Sequence, residues 1–180
     1  MSDPSEELLN ILTIERLEVD LFRGKGSGGE TAMRIIGGQV IAQALMAAFG
    51  TVQDRLCHSL HAYFIRPGDP SIPVIYDVDR ARDGGSFTTR RVVAIQHGKQ
   101  IFNLSASFHA VEDGWDHQHP MPSVAGPEGL KSQRELRESY ADKIPENRRD
   151  DYLRPRPIEI RECAPQNLFA PEKRDDVNHM

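Results

Sequence analysis

The sequence predicts an α+β fold in which an antiparallel β-sheet curls around one central α-helix. Two observations carry this. The stretch from Gly37 to Phe49 is slim and alanine-rich, with apolar residues returning at helical spacing. Behind it come four strand-like runs, each stopped by a turn signal and joined by a short connection, as antiparallel neighbours are. A length of 180 residues with 38% hydrophobic content allows one compact domain plus part of another.

Taken in order, Ser5–Leu12 reads as a short helix capped by Ser5, with Leu8, Leu9 and Leu12 on one face. Leu17–Phe22 alternates as a strand, with Leu17, Val19 and Leu21 on one side. Gly24-Lys25-Gly26-Ser27-Gly28-Gly29 lacks the Gly-Lys-Ser/Thr ending of a phosphate loop and has no helix directly behind it. A flexible surface loop is expected there. The central helix is expected over Gly38–Phe49, with Ile41, Ala44, Leu45, Ala48 and Phe49 on its buried face and Gly50 as its stop. Strands are expected over His58–Arg66, Pro73–Arg82, Ser86–Gln96 and Gln100–Val111. In the last of these Phe102, Leu104, Ala106 and Phe108 share the core face, and Asn103, Ser105, Ser107 and His109 the other. Trp115–Pro127 reads as a linker, Leu130–Tyr140 as weakly helical and Arg148–Arg156 as a charged stretch. In Arg156–Arg161, Ile158 and Ile160 share a face, as at the opening of a further strand.

The formal charge of −5, with no basic stripe, argues against a nucleic-acid partner. Two cysteines, Cys57 and Cys163, are too few for a disulfide framework and point to a reducing compartment. Met1-Ser2-Asp3-Pro4 has no signal-peptide pattern, no apolar run is long enough to span a bilayer, and Asn178-His179-Met180 is not a targeting tail. A cytoplasmic location is expected, or a peroxisomal one if the complete protein is eukaryotic and carries a targeting tail.

A helix N-terminus has N–H groups without intrahelical partners and the positive end of the dipole. With two glycines there, a ligand can come close to the backbone. Gly38 and Gln39 are therefore candidates for holding an oxyanion or a pyrophosphate; the alternative is that the glycines only allow close packing of helix and strand. His58 and His61 lie three apart on a strand, which places them on opposite faces, unable to share a metal. His58 is expected beside Leu60, Ala62 and Phe64, either as a hydrogen-bonded core histidine or as a catalytic base. Asp113, Asp116, His117 and His119 are expected to form a solvated loop, not a metal site. Arg90 and Arg91 face opposite ways, and one of them reaches a phosphate or is an ordinary surface charge. No metal and no cofactor are expected.

Several of these stretches together resemble the acyl-CoA thioesterase II family. They are Leu21-Phe22-Arg23-Gly24, Ile36-Gly37-Gly38-Gln39-Val40 through Ala44-Leu45, His58 through Asp69, Pro73 through Val78, Arg82 through Phe87, Arg90-Arg91-Val92, Ala94-Ile95-Gln96, Gly98 through Phe102 and Ala106-Ser107-Phe108. The resemblance is collinear over nearly the whole chain. It implies a hotdog fold, two such units in one complete protein, and hydrolysis of medium- to long-chain acyl-CoA. It also implies that residues 1–114 are the first hotdog, 115–156 a linker and 157–180 the start of a second, incomplete one. The family's hydrolytic Asp, Thr or Ser, and Gln would then lie beyond Met180, leaving this chain catalytically incomplete. Gly38, Gln39 and Arg90 are the substrate-side candidates, His58 the candidate base, and a second hotdog unit or a homo-oligomer the expected partner. A non-catalytic acyl-binding or scaffold module is the alternative.

Overall fold

The computed structural model describes residues 3–26, 34–167, 169–171 and 173. Its contacts divide the chain into two units: Glu6–Trp115, and the remainder from Asp116 onward together with the first five residues.

Helix α1 covers Pro4–Leu12. Its start is held by Asp3, whose carboxylate accepts the Ser5 N–H at 2.9 Å, so Asp3 and not Ser5 is the cap. The expected strand Leu17–Phe22 is instead a tight hairpin of two short strands, β1 (Glu15–Glu18) and β2 (Leu21–Gly24), turning at Val19-Asp20. Asp20 carbonyl accepts the Val78 N–H at 2.9 Å, which ties the turn to the sheet. Gly24 belongs to β2 and is buried, so it is no part of a surface loop; Ser27, Gly28 and Gly29 lie outside the described residues.

Four longer strands follow helix α2 (Gly37–Phe49): β3 (Leu56–Phe64), β4 (Val74–Asp83), β5 (Phe87–Gln96) and β6 (Lys99–His109). The sheet has six strands in the order β1-β2-β4-β5-β6-β3, with every described pairing antiparallel. His97 and Gly98 both have positive φ, 49° and 67°, which gives the β5–β6 hairpin a two-residue turn matched to strand twist. Alternate residues of β4, β5 and β6 point inward, among them Val74, Tyr76, Val92, Ala94, Phe102, Leu104, Ala106 and Phe108, and are essentially without solvent exposure.

Helix α2 lies on this concave face. Its fully buried positions are Val40, Gln43, Ala44, Ala47 and Ala48. Ile41, Leu45 and Phe49, expected at the centre of the stripe, flank it and are only partly buried. The reason is steric: under the curved sheet there is room for methyl groups, and the larger side chains splay to either side.

In the second unit, Ser132 begins the short helix α3 (Gln133–Glu138) through a reciprocal capping box with Glu135. A single 3₁₀ turn (Ala141–Lys143) and α4 (Glu146–Leu153) follow, so part of the charged stretch is helical. Arg156–Arg161 does not form the expected strand. Only Arg161 pairs, in an isolated bridge with Ser132, and Ile158 stays exposed.

Candidate active site at the amino end of the central helix

The entry of the chain into α2 is fixed by a buried glutamine of β5. Gln96 Oε1 accepts the Asp69 N–H at 2.8 Å, and its Nε2 donates to the carbonyls of Asp69, Ile72 and Pro73 at 3.0–3.2 Å. The loop so pinned presents Gly68 carbonyl to the Ile35 N–H at 2.9 Å. A Cβ at Gly68 would sit 3.1–3.3 Å from the side-chain ends of Ile35, Gln96 and Ile101, so the loop packs closely here. Ile35 is thereby anchored, Ile36 takes the extended cap conformation, and the helix starts at Gly37.

That start is bare. Ile36 offers no side-chain cap, and the first turn has no acidic residue to neutralise the dipole. The N–H groups of Gln39 and Val40 return to Ile36 carbonyl, at 3.0 and 3.4 Å. Among the described residues the N–H groups of Gly37 and Gly38 have no acceptor. The two glycines differ in their reasons. A Cβ on Gly37 would sit 3.0 Å from the Phe64 ring, so Gly37 lets β3 close on the helix. At Gly38 nothing described lies within 4 Å of a Cβ position, so packing does not ask for glycine there. Beside these donors, Ile36 and Phe64 are 71% and 60% exposed and form an apolar rim.

A polar ladder supports the helix from below. Gln39 Nε2 donates to Lys25 carbonyl at 2.9 Å. One turn on, Gln43 is fully buried; its Nε2 donates to the carbonyls of Ile11 and Lys25 at 2.7 and 3.1 Å, and its Oε1 accepts from Tyr76 Oη at 2.8 Å. Burial pushes the Tyr76 phenol well above its ordinary range, so it keeps the proton it donates to Gln43. Gln39 is thus part of the scaffold through its side chain, and Gly37 and Gly38 offer N–H donors that no described residue accepts.

The other expected residues lie elsewhere. His58 is the extra residue of a β-bulge: Cys57 pairs with Phe108 and Ser59 with Ser107, with His58 between them. The bulge turns His58 to the outer face, where Nε2 lies 2.8 Å from Ser107 Oγ and the ring meets Phe87 and His109. It is exposed, and so it is not a core histidine. It is also at the far end of β3 from Phe64, six positions at about 3.3 Å each, or about 20 Å, and on the opposite face. Within this domain it cannot serve as a base for a ligand held at Gly38. The same bulge puts His58 and His61 on one face, contrary to simple alternation; among the described residues no cluster suited to a metal ion forms.

Arg90 is neither a surface charge nor free to bind phosphate. It is 2% exposed, and all five of its N–H donors are engaged. Nε donates to Thr51 Oγ1 at 2.8 Å, Nη1 to the carbonyls of Arg82 and Thr89, and Nη2 to Thr51 carbonyl and Asp83 Oδ1. It clamps the exit of α2 to β4 and β5. Gln43, Gln96 and Arg90 share one sequence signal, a polar residue in a column of inward-facing apolar ones, for buried polar groups need partners.

Residues 28–109 match the family model of the acyl-CoA thioesterase N-terminal domain. The chain is 40% identical over 170 residues to acyl-CoA thioesterase 2 of Haemophilus influenzae, which spans 94% of this chain and 59% of that protein. It is 46% identical over 133 residues to acyl-coenzyme A thioesterase 8 of Mus musculus, 73% of this chain and 42% of that protein. The chain thus spans about half the length of the curated relatives it matches. Among solved structures it is similar to the acyl-CoA thioesterase II TesB2 of Mycobacterium marinum, with a TM-score of 0.63 at 43% identity over 71% of this chain and 48% of that one. A tesB protein of Mycobacterium avium gives 0.66 at 36% identity, over 70% and 50%. Through its hotdog domain the chain belongs to the acyl-CoA thioesterase II family.

Proposed function

We propose that a protein containing this domain hydrolyses medium- to long-chain acyl-CoA to free fatty acid and CoA. The observation that carries the reading is the uncapped helix start, where among the described residues the Gly37 and Gly38 donors have no acceptor, beside an apolar rim. A thioester carbonyl placed there would have its developing oxyanion met by backbone N–H groups and the helix dipole, while the acyl chain lies along Ile36 and Phe64. Among the described residues nothing lies within 4 Å of a Cβ at Gly38, and on this reading the base that activates water comes from a second hotdog. On this reading residues 1–114 are the first hotdog, 115–156 a linker and 157–180 the opening of a second.

The same reading assigns the partner. β3 is the edge of the sheet, with its outer backbone groups unpaired by any described strand, and it carries exposed Leu56, Leu60, Tyr63 and Phe64. A second hotdog, in the same protein or from another copy, covers this edge and supplies the base. That no described side chain touches the Gly38 position also favours a second reading, an acyl-binding or scaffold module without chemistry. Thiol release from acyl-CoA of graded chain length, by a protein that joins this domain to a second hotdog, decides between them. Hydrolysis is expected; tight binding of a thioether analogue with no thiol release would favour the module.

A further inference from the structure

We propose that the carboxyl end of α2 carries a second ligand site, for a phosphate-bearing small molecule, separate from the glycine-led end. After Gly50 the chain runs through Thr51-Val52-Gln53-Asp54-Arg55 into β3, and a cavity of about 720 Å³ opens beside this loop. That volume falls among those of small-molecule sites. Four arginines from four separate parts of the fold meet in its wall: Arg16 of β1, Arg55 before β3, Arg80 of β4 and Arg90 of β5. Two carboxylates, Asp54 and Asp83, line it too, so four positive and two negative charges leave +2; counting Asp20, the partner of Arg80 at 2.7 Å, leaves +1. The chain as a whole carries −5, so the charge is inverted at this place.

The donor inventory says what is left for a ligand. Arg90 is fully engaged and forms a rigid floor. Arg55 Nη2 donates to the carbonyls of Gly84 and Gly85 at 2.8 and 2.6 Å, but its Nη1 is buried and has no acceptor among the described residues. A cationic donor in that condition is costly, and native structures rarely keep one without a partner to come. Arg80 uses Nε on Asp20; Arg16 uses Nη2 on the carbonyls of Val19 and Gly50, with its guanidinium over the Phe22 ring. Arg16 and Arg80 keep further N–H donors beyond these bonds, and both line the same space as Arg55 and Arg90. Several guanidinium forks around one space suit the tetrahedral oxygens of a phosphate better than the two oxygens of a carboxylate. The polar wall, with Thr51 and Thr88, does not suit an acyl chain. The volume leaves room for more than a bare phosphate, and both a free nucleotide and the nucleotide end of CoA have the required chemistry.

The test is calorimetric titration of the 180-residue chain with pyrophosphate, ADP and CoA, at low and high salt. Binding that weakens with salt is expected. Arg55→Gln and Arg80→Gln should each weaken it about tenfold or more, as removal of a charge-assisted hydrogen bond does. Arg91→Gln, on the outer face, should leave it unchanged. Circular dichroism checks the fold of Arg55→Gln, and Arg80→Gln, at the rim, provides an independent reading. ADP binding more tightly than CoA assigns the site to a separate nucleotide; CoA binding more tightly assigns it to the substrate's own phosphates. No binding of any of the three up to about 10 mM, weaker than a millimolar site allows, overturns the proposal. So does binding that neither Arg55→Gln nor Arg80→Gln affects.

Discussion

The Gln43–Tyr76 pair offers a sharp test of how the central helix is held. Tyr76→Phe removes one buried hydrogen bond and leaves Gln43 Oε1 without a donor, at 0% exposure for both residues. The lost bond and the stranded acceptor together should cost about 1–3 kcal/mol. Gln43→Leu keeps the volume but strands two groups, the Ile11 carbonyl and the Tyr76 hydroxyl, while the Lys25 carbonyl keeps Gln39 Nε2, and should cost about 2–4 kcal/mol. The two effects should not add. Once Gln43 is gone, Tyr76→Phe removes a hydroxyl that no longer has a partner, so the double variant should be milder than the sum by about 1–2 kcal/mol. Urea unfolding of the four proteins, with equal m-values, measures this. Additive losses, or a Tyr76→Phe effect below about 0.3 kcal/mol, would show that the two side chains do not share a buried bond.

Gly38→Ala should leave stability unchanged or raise it by up to about 1 kcal/mol, because nothing described crowds the site and alanine is the better helix former; thermal unfolding reads this. Arg90→Met should cost about 2–4 kcal/mol in the same measurement, since it strands the buried Thr51 acceptors. The hydrogen bond from Arg90 holds the Asp83 carboxyl below its ordinary value of 3.8. Its stabilisation is therefore complete above 3.8 and is lost as pH falls from there through the lower folded value; Asp83→Asn should flatten that acid limb in a pH series of unfolding curves. The exposed edge of β3 should drive self-association of the 180-residue chain, and a Leu60→Lys, Phe64→Lys double variant should shift it toward monomer in sedimentation.

The fold was legible because its signals are local and repeated. Turn residues at His97-Gly98, Gly84-Gly85 and Gly68 mark the strand ends, and from Phe102 to His109 the burial in β6 follows the sequence alternation. The misses come from features that break a period. A one-residue bulge at His58 turned a side chain from the core face to the outer one and brought His58 and His61 to the same side. The hairpin at Val19-Asp20 has no glycine or proline to announce it. In α2 the apolar residues are spread over more than half the circumference, so the pattern alone did not say that the alanines, not Leu45, meet the sheet. At the candidate site, the glycine-led helix start was readable in the sequence. For Arg90 the sequence offers only its place in a column of inward-facing residues; the carbonyls, hydroxyl and carboxylate that satisfy it come from other elements, so its role as a clamp was not readable.

The central claim is that this domain contributes the helix-end donors and one wall of the substrate site, and that the base belongs to a second hotdog. Thiol release from a long-chain acyl-CoA tests it directly, with the 180-residue chain assayed beside a chain extended through a second hotdog. The extended protein should turn over, and the 180-residue chain should be slower by on the order of 10²–10⁴, the usual contribution of a positioned base. Comparable turnover by both would contradict the claim and place the base within residues 1–180.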